Sequence, residues 1–343
     1  MKRLFLLMAV TLVALCGSIA TTNAQAPERQ NWDCGFLLYG GFPLYGNVES
    51  VTITEYELQE KFGEVIRGDV QAKEKWRFNA AGDVIEHAYY NSAGSLSSKH
   101  IYKYDSSGNV IEYAEYDSDG SLNWNIYKYD SSGNKIEEAC YNYAGSLDHK
   151  SIYKYDSSGN KIEGAEYFSD GSSGDKYIFK YDSSGNKIER AWYNSAGSFD
   201  GKEIYKYDSF GNEIEDAFYN SDGSLFYKYI YKYDSSGNKI EEACYNSDGS
   251  LDCKYIYKYD SSGNEIERAR YYSDGSLKWK DIYKYDSSGN MIEEALYNYN
   301  GSLGLKKIYK YDSSRNRIEV TKYNSEALIP ELQSEIKIVY RNK

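Results

Sequence analysis

Proline is nearly missing from this chain: three in 343 residues, with none between Pro43 and Pro330. Proline cannot donate to a strand ladder, so its absence leaves that whole stretch free to pair continuously. Histidine is equally scarce, with three residues. His87, His100 and His149 fall at unrelated places in the pattern described below and read as surface histidines. They offer neither a metal cluster nor a nucleophile with its base. Basic excess is missing too, with 40 Lys and Arg against 52 Asp and Glu. That removes the electrostatic footprint of a nucleic-acid-binding protein. Long apolar runs are confined to Leu4–Leu15, too short for a membrane span.

What is present is a repeat. Trp76, Tyr102, Tyr127, Tyr153, Phe179, Tyr205, Tyr231, Tyr257, Tyr283 and Tyr309 open ten units spaced by 26 residues, except for 25 between Tyr102 and Tyr127. Isoleucine stands nine positions after each start (Ile85 to Ile318), glutamate ten after (Glu86 to Glu319) and tyrosine fourteen after (Tyr90 to Tyr323). Periods of this size signal repeat architectures. Each unit carries two turns of one chemistry, as in Asp156-Ser157-Ser158-Gly159-Asn160 and Asn246-Ser247-Asp248-Gly249-Ser250. Asp or Asn suits the first position of a type I turn, and Gly the left-handed residue that closes a three-residue hairpin loop. Between turns, β-branched and aromatic residues alternate with charged ones at period two.

The expected fold is all-β: an antiparallel β-hairpin repeat array of ten units, forming a coiled single-sheet ribbon, superhelix or open shell. Counting outward from three-residue loops pairs Lys128 with Ile136, Tyr127 with Glu137, and Ala139 with His149. Tyr127, Tyr129, Glu137, Ala139, Tyr141 and Leu147 then share one face, and Ile126, Lys128, Ile136, Glu138 and Cys140 the other. The register implies a stagger of two residues per unit, which a regular bulge could instead absorb.

Residues 1–24 read as a signal peptide, with Lys2-Arg3, the apolar run and Thr22-Asn23-Ala24 before Gln25. Export to the periplasm, cell surface or medium is the expectation, with no transmembrane segment after cleavage. Leu15 before Cys16 argues against lipid attachment. Residues 25–47 form an aromatic, Gly-rich leader, 48–75 an N-terminal β cap, 76–324 the repeats and 325–343 a C-terminal capping strand. Such caps would protect exposed edges. The short unit lacks a residue between Leu122 and Ile126, so a bulge or altered turn is expected near Asn123-Trp124-Asn125. Arg315 replaces the glycine of the other first turns, so that turn is expected to be strained or different, with the meander closing there. Cys140 and Cys244 lie four units apart, and Cys244 and Cys253 fall on opposite faces, so neither pair should form a disulfide. Cys34 has no assigned partner.

The aligned glutamates sit in a ladder rather than a convergent acid–base pair, so no catalytic residue is assigned and the chain reads as non-enzymatic. The Asp-Gly turns lack the ligand spacing of a calcium loop, so no metal or cofactor is expected. Tyr102, Tyr104 and Tyr116, with their equivalents Tyr153 and Tyr155, form a ring-lined face that stabilises the sheet or stacks sugar rings. Thirteen residues after each start the units differ: Tyr89, Glu115, Cys140, Glu166, Trp192, Phe218, Cys244, Arg270, Leu296 and Lys322. This row, placed on the isoleucine face with Trp192 and Phe218 near its middle, is the second candidate surface. A glycan, polysaccharide or envelope protein is the expected partner; a purely structural surface or spacer role is the alternative.

The Tyr-x-Tyr-Asp-x-x-Gly-Asn frame, as in Tyr153-Lys154-Tyr155-Asp156-Ser157-Ser158-Gly159-Asn160, resembles the YD repeats of bacterial Rhs-type proteins over residues 76–324. That resemblance implies an exported or cell-surface β-protein, in some members sugar-binding, with large members forming hollow shells. The period here is longer than is usual there, and the toxin-delivery role is not carried over. Asn-Ser-Asp-Gly-Ser-Leu is also similar to choline-binding wall repeats, whose paired tryptophan cages are missing.

Overall fold

The computed structural model describes residues 31–34, 42–62, 64–324 and 330–341. Residues 1–24, read from the sequence as a signal peptide, and most of the expected leader at 25–47 lie outside them. The short strands β1 (Asn31–Cys34) and β2 (Phe42–Leu44) pair with each other. Then come β3 (Val48–Lys61) and β4 (Glu64–Phe78), followed by nineteen strands from β5 (Val84–Asn91) to β23 (Arg317–Asn324), and finally β24 (Pro330–Tyr340). Each strand from β3 onward pairs antiparallel with its sequence neighbours. β24 pairs with β3, from Leu332 opposite Glu57 to Tyr340 opposite Val48. The sheet is therefore a closed barrel of 22 strands. The open ribbon or shell expected from the sequence is corrected: the two cap strands do not shield two edges but pair together and abolish both.

Register explains why closure is possible. Every first turn has the expected geometry, with Asp156 N–H bonded to Asn160 O at 2.9 Å and Gly159 N–H to Asp156 O at 3.1 Å. Beyond it, however, Tyr155 faces Lys161 while Lys154 faces Glu163, so Ile162 is an extra, bulged residue. The second turn does the same: Leu147 faces Tyr141 and His149 faces Cys140, leaving Asp148 extra. Two bulges per unit move each strand one residue away from the register counted from the loops alone. The stagger nonetheless survives, because Lys154 faces Glu163 and Glu163 faces Ile178. Nine steps of two residues and a closing step of four, from Lys310 through Glu319, Glu335 and Thr54 to Lys73, give a shear equal to the strand number. Equal shear and strand number tilt the strands by about 36°. With strands about 4.8 Å apart, the backbone cylinder then has a radius of about 21 Å. The molecule is a short, wide drum.

The short unit receives a different explanation from the one expected. Tyr116 faces Leu122 and Glu115 faces Asn123 with no register shift. The missing residue is the bulge itself, so the alternation is preserved rather than repaired. Arg315 keeps the common turn: its N–H bonds to Asp312 O at 3.1 Å and its φ is 66°. The turn is strained, as expected, but not different, and the chain continues into β23 and β24.

Both bulges reassign the faces. Tyr127 is opposite Glu138 and Ile126 opposite Ala139. One face therefore carries Tyr127, Glu138 and Cys140, and the other Ile126, Lys128, Glu137 and Ala139. On the second face, lysine–glutamate pairs repeat around the drum. Glu163 takes Lys154 and Lys176, each at 2.9 Å, and Glu293 takes Lys284 at 2.8 Å and Lys306 at 3.0 Å. Buried alanines such as Ala217 and Ala269 lie between them.

Neighbouring groups at one height identify the concave side. On the ion-pair face, hydrogen bonding to Glu163 raises the Lys154 pKa, and Lys154 and Lys176 hold the Glu163 carboxyl low. On the tyrosine face, burial dominates: it lowers the amines of Lys161 and Lys187 and raises the carboxyls of Glu213 and Glu265. On the tyrosine face side chains two strands apart meet, Trp192 with Phe218 and Tyr227 with Glu203, whereas the ion pairs join adjacent strands, and such convergence marks the concave side. The tyrosine face lines the lumen and the ion pairs form the outer wall.

At one end the lumen wall joins the main apolar cluster, in which Leu44, Val48, Val51 and Ile53 pack with Trp76, Phe78, Tyr309 and Val320. Asn316 secures this end. Its equivalents, such as Asn160, donate Nδ2 to the aspartate of their own turn. Asn316 instead accepts the Tyr45 N–H at 2.6 Å and donates to Tyr45 O at 3.0 Å and Tyr340 Oη at 2.7 Å.

Candidate functional site

The constant and variable positions of the repeat separate by face. Outside, Ile, Lys, Glu and Ala recur at the same slots nearly all the way round. Inside, five slots change from unit to unit: eight, eleven and thirteen after each start, and two and four before it. In the central units these slots place Arg190 opposite Glu203, Trp192 opposite Gly201, Asp216 opposite Tyr229, and Phe218 opposite Tyr227. The variable row is thus on the lumen face with Tyr153 and Tyr205, not on the isoleucine face.

The two aromatic residues singled out from the sequence are in contact. Trp192 and Phe218 meet edge-to-face at 5.2 Å between centroids, and Phe218 stacks on Tyr227 at 5.5 Å with 18° between planes. Gly201 makes room for them: a Cβ there would lie 2.7 Å from Tyr219 O and 3.2 Å from the Phe218 ring. On the other side, the Arg190 guanidinium lies over Trp192 at 4.7 Å and over Tyr177 at 5.0 Å.

Acidic groups flank this aromatic slot. Glu203 accepts hydrogen bonds from Tyr205 and, at 3.2 Å, from Tyr227. Burial, then the charges of Glu203 and Glu213, pushes the Asp216 carboxyl up to about 7. Asp216 Oδ1 and Arg190 Nε are buried without a protein partner. An apolar ring surface edged by unspent donors and acceptors is what a ligand with an apolar face and polar rim requires. Sequence reasoning found Trp192 and Phe218 but missed Arg190 and Asp216, two residues earlier on the same face, because only one variable slot was followed, and missed Glu203 because the counted register put its slot on the opposite face.

The tyrosine candidates divide. Tyr102 and Tyr153 belong to the lumen face; Tyr102 contacts Tyr113 at 5.2 Å, and Tyr153 donates to Glu138 at 3.3 Å. Tyr104 and Tyr155 are tied to the frame, donating to Val84 O at 2.6 Å and Lys135 O at 2.7 Å. The same bond recurs from Tyr129 to Tyr311, joining each unit to the one before it. Tyr116 is on the outer wall beneath Lys99, whose Nζ lies 5.1 Å from the ring centroid. The continuous ring-lined face expected from Tyr102, Tyr104 and Tyr116 is therefore two faces.

The histidines are also revised. His149 is partly exposed beside Asp148. His87 is buried, stacked on Trp76 at 3.4 Å and 3.2 Å from Glu74 Oε2, and burial lowers its pKa. His100 Nδ1 lies 2.6 Å from Tyr113 Oη. Among the described residues no group of three His, Cys, Asp or Glu is arranged to hold a metal ion.

No family profile matches the chain, and no curated protein does. Among solved structures, the TcdB2-TccC3-Cdc42 structure is similar over 83% of this chain and 20% of its own, at 13% identity and a TM-score of 0.31. This chain thus spans about a fifth of that one. A porin-like protein from Bacteroides uniformis is similar over 85% and 98%, at 9% identity and a TM-score of 0.31. One from Bacteroides vulgatus is similar over 85% and 99%, at 12% identity and a TM-score of 0.22.

Proposed function

We propose that the protein is a non-catalytic, exported drum whose lumen recognises carbohydrate through the slot formed by Trp192, Phe218 and Tyr227. One observation carries this reading: the solvent-facing outer wall is repeated almost without change, while the inner wall varies. Neutral drift would mark the exposed outer face at least as strongly. Sugars fit the chemistry, since a ring's C–H face stacks on an aromatic plane while its hydroxyls meet Glu203, Asp216 and Arg190. The motif likeness to YD repeats agrees with export and sugar binding.

Two alternatives fit less well. Hydrolysis would need Glu203 and Asp216 to act as an acid–base pair, and Glu203 already accepts hydrogen bonds from Tyr205 and Tyr227. Spanning a membrane would place the lysines and glutamates of the outer, ion-pair face, present on nearly every strand, against lipid. Each such lysine costs about 2–4 kcal/mol at the bilayer midplane.

A glycan and envelope-polysaccharide array probed with the mature chain and with Trp192→Ala/Phe218→Ala tests the proposal. Saturable binding lost in the variant, with an unchanged unfolding midpoint, supports it. No binding, or equal binding by both proteins, refutes it and leaves a structural role.

A further inference from the structure

The cysteines yield a second site. Counted from the loops, Cys244 and Cys253 fall on opposite faces. With the bulge at Asp252 they are direct cross-strand partners on the lumen face. Both are buried, with free thiols. Arg270 on the next strand brings its guanidinium beside Cys253 and over the Tyr255 ring at 5.3 Å, with Nε buried and without a hydrogen-bond partner. Cys140 occupies the equivalent slot to Cys244 but faces His149. The paired thiols are therefore particular to one hairpin.

We propose that Cys244 and Cys253 are a disulfide-forming pair, closed by exchange with a small-molecule or protein disulfide and lying in the lumen wall next to the aromatic slot. Cys253, the cysteine beside the Arg270 guanidinium, is the attacking sulfur. Its electron pair attacks one sulfur of the oxidant disulfide; that S–S bond breaks and one thiolate leaves. Cys244, having given up its proton to solvent, attacks Cys253 Sγ in the mixed disulfide and expels the second thiolate. Two protein thiols are oxidised and one oxidant disulfide is reduced to two thiols. The cross-strand position supplies the short Cα separation a disulfide needs.

The test uses the full mature chain, reduced and then incubated with oxidised glutathione. After an acid quench it is unfolded and alkylated, and each cysteine is located by peptide mass spectrometry. The expected result is a single intramolecular Cys244–Cys253 link, both sulfurs labelled only after reduction, with Cys140 labelled throughout. Arg270→Gln should slow formation about tenfold while leaving the final link unchanged, a rate effect that a merely structural arginine would not produce. Full labelling of Cys244 and Cys253 after oxidation overturns the proposal, as does pairing of either with another cysteine. A Cys253→Ser control in which Cys244 remains fully labelled excludes a link to a distant partner.

Discussion

Asp216 makes the lumen's electrostatics measurable. It faces inward with Oδ1 unpartnered, and burial, Glu203 and Glu213 together raise its carboxyl from 3.8 to about 7. A carboxyl whose folded pKa is raised is held protonated by folding. Its contribution is fully present below the unfolded value near pH 4 and is lost as pH rises to about 7. Taken at face value, a rise of that size corresponds to about 4 kcal/mol. Screening by solvent in a wide lumen reduces this to about 1–2 kcal/mol. Asp216→Asn keeps the shape and removes the charge, so the variant should match the parent near pH 4 and exceed it by about 1–2 kcal/mol at pH 8. Urea unfolding at half-unit steps from pH 4.5 to 8, with the slope m checked for constancy, gives the difference directly. A difference that does not change across that range would refute both the burial of Asp216 and the assignment of its face to the lumen.

The frame supports further predictions. Tyr207→Phe removes the hydroxyl that donates to Lys187 O at 2.8 Å; it should cost about 1 kcal/mol in urea unfolding. Adding Tyr285→Phe, several units away, should cost as much again, and the sum should be additive. Arg315→Gly relieves a left-handed non-glycine residue and should raise stability by about 0.5–1 kcal/mol. The turn aspartates Asp105, Asp130, Asp156 and Asp182 are held below 3.8, chiefly by hydrogen bonds from the asparagine four residues on. Their contribution is complete above about pH 4 and is lost as pH falls through the depressed values. Circular dichroism should show strand loss below pH 4, and full retention at pH 2 would contradict this.

The repeat, both turns, the stagger and the strand content were legible in the sequence because turn chemistry and period are local. The register was not, because nothing in Ile162 or Asp148 marks a bulged residue: neither is glycine or proline. Two signals were available. Pairing each lysine with a glutamate rather than an isoleucine places Lys154 opposite Glu163. A unit that loses one residue near Asn123 without reversing its pattern implies that the others carry a spare one. With that correction Glu203 joins Arg190, Trp192, Asp216 and Phe218 on one face, and Cys244 meets Cys253. Closure was hidden for another reason. It depends on strand number, shear and tilt being mutually consistent, a property of the whole ring in which β3 and β24 each supply a share.

Closure is the central claim, and a seam cross-link tests it most directly. Thr52 and Lys337 are partners across β3 and β24. In an open ribbon of this many strands they would be about 100 Å apart. The double variant Thr52→Cys/Lys337→Cys, mildly oxidised at low protein concentration, should give a monomer in which the two introduced thiols are joined, resolved as one linked peptide pair. A chain in which those two thiols remain free, or link only between molecules, would contradict the barrel.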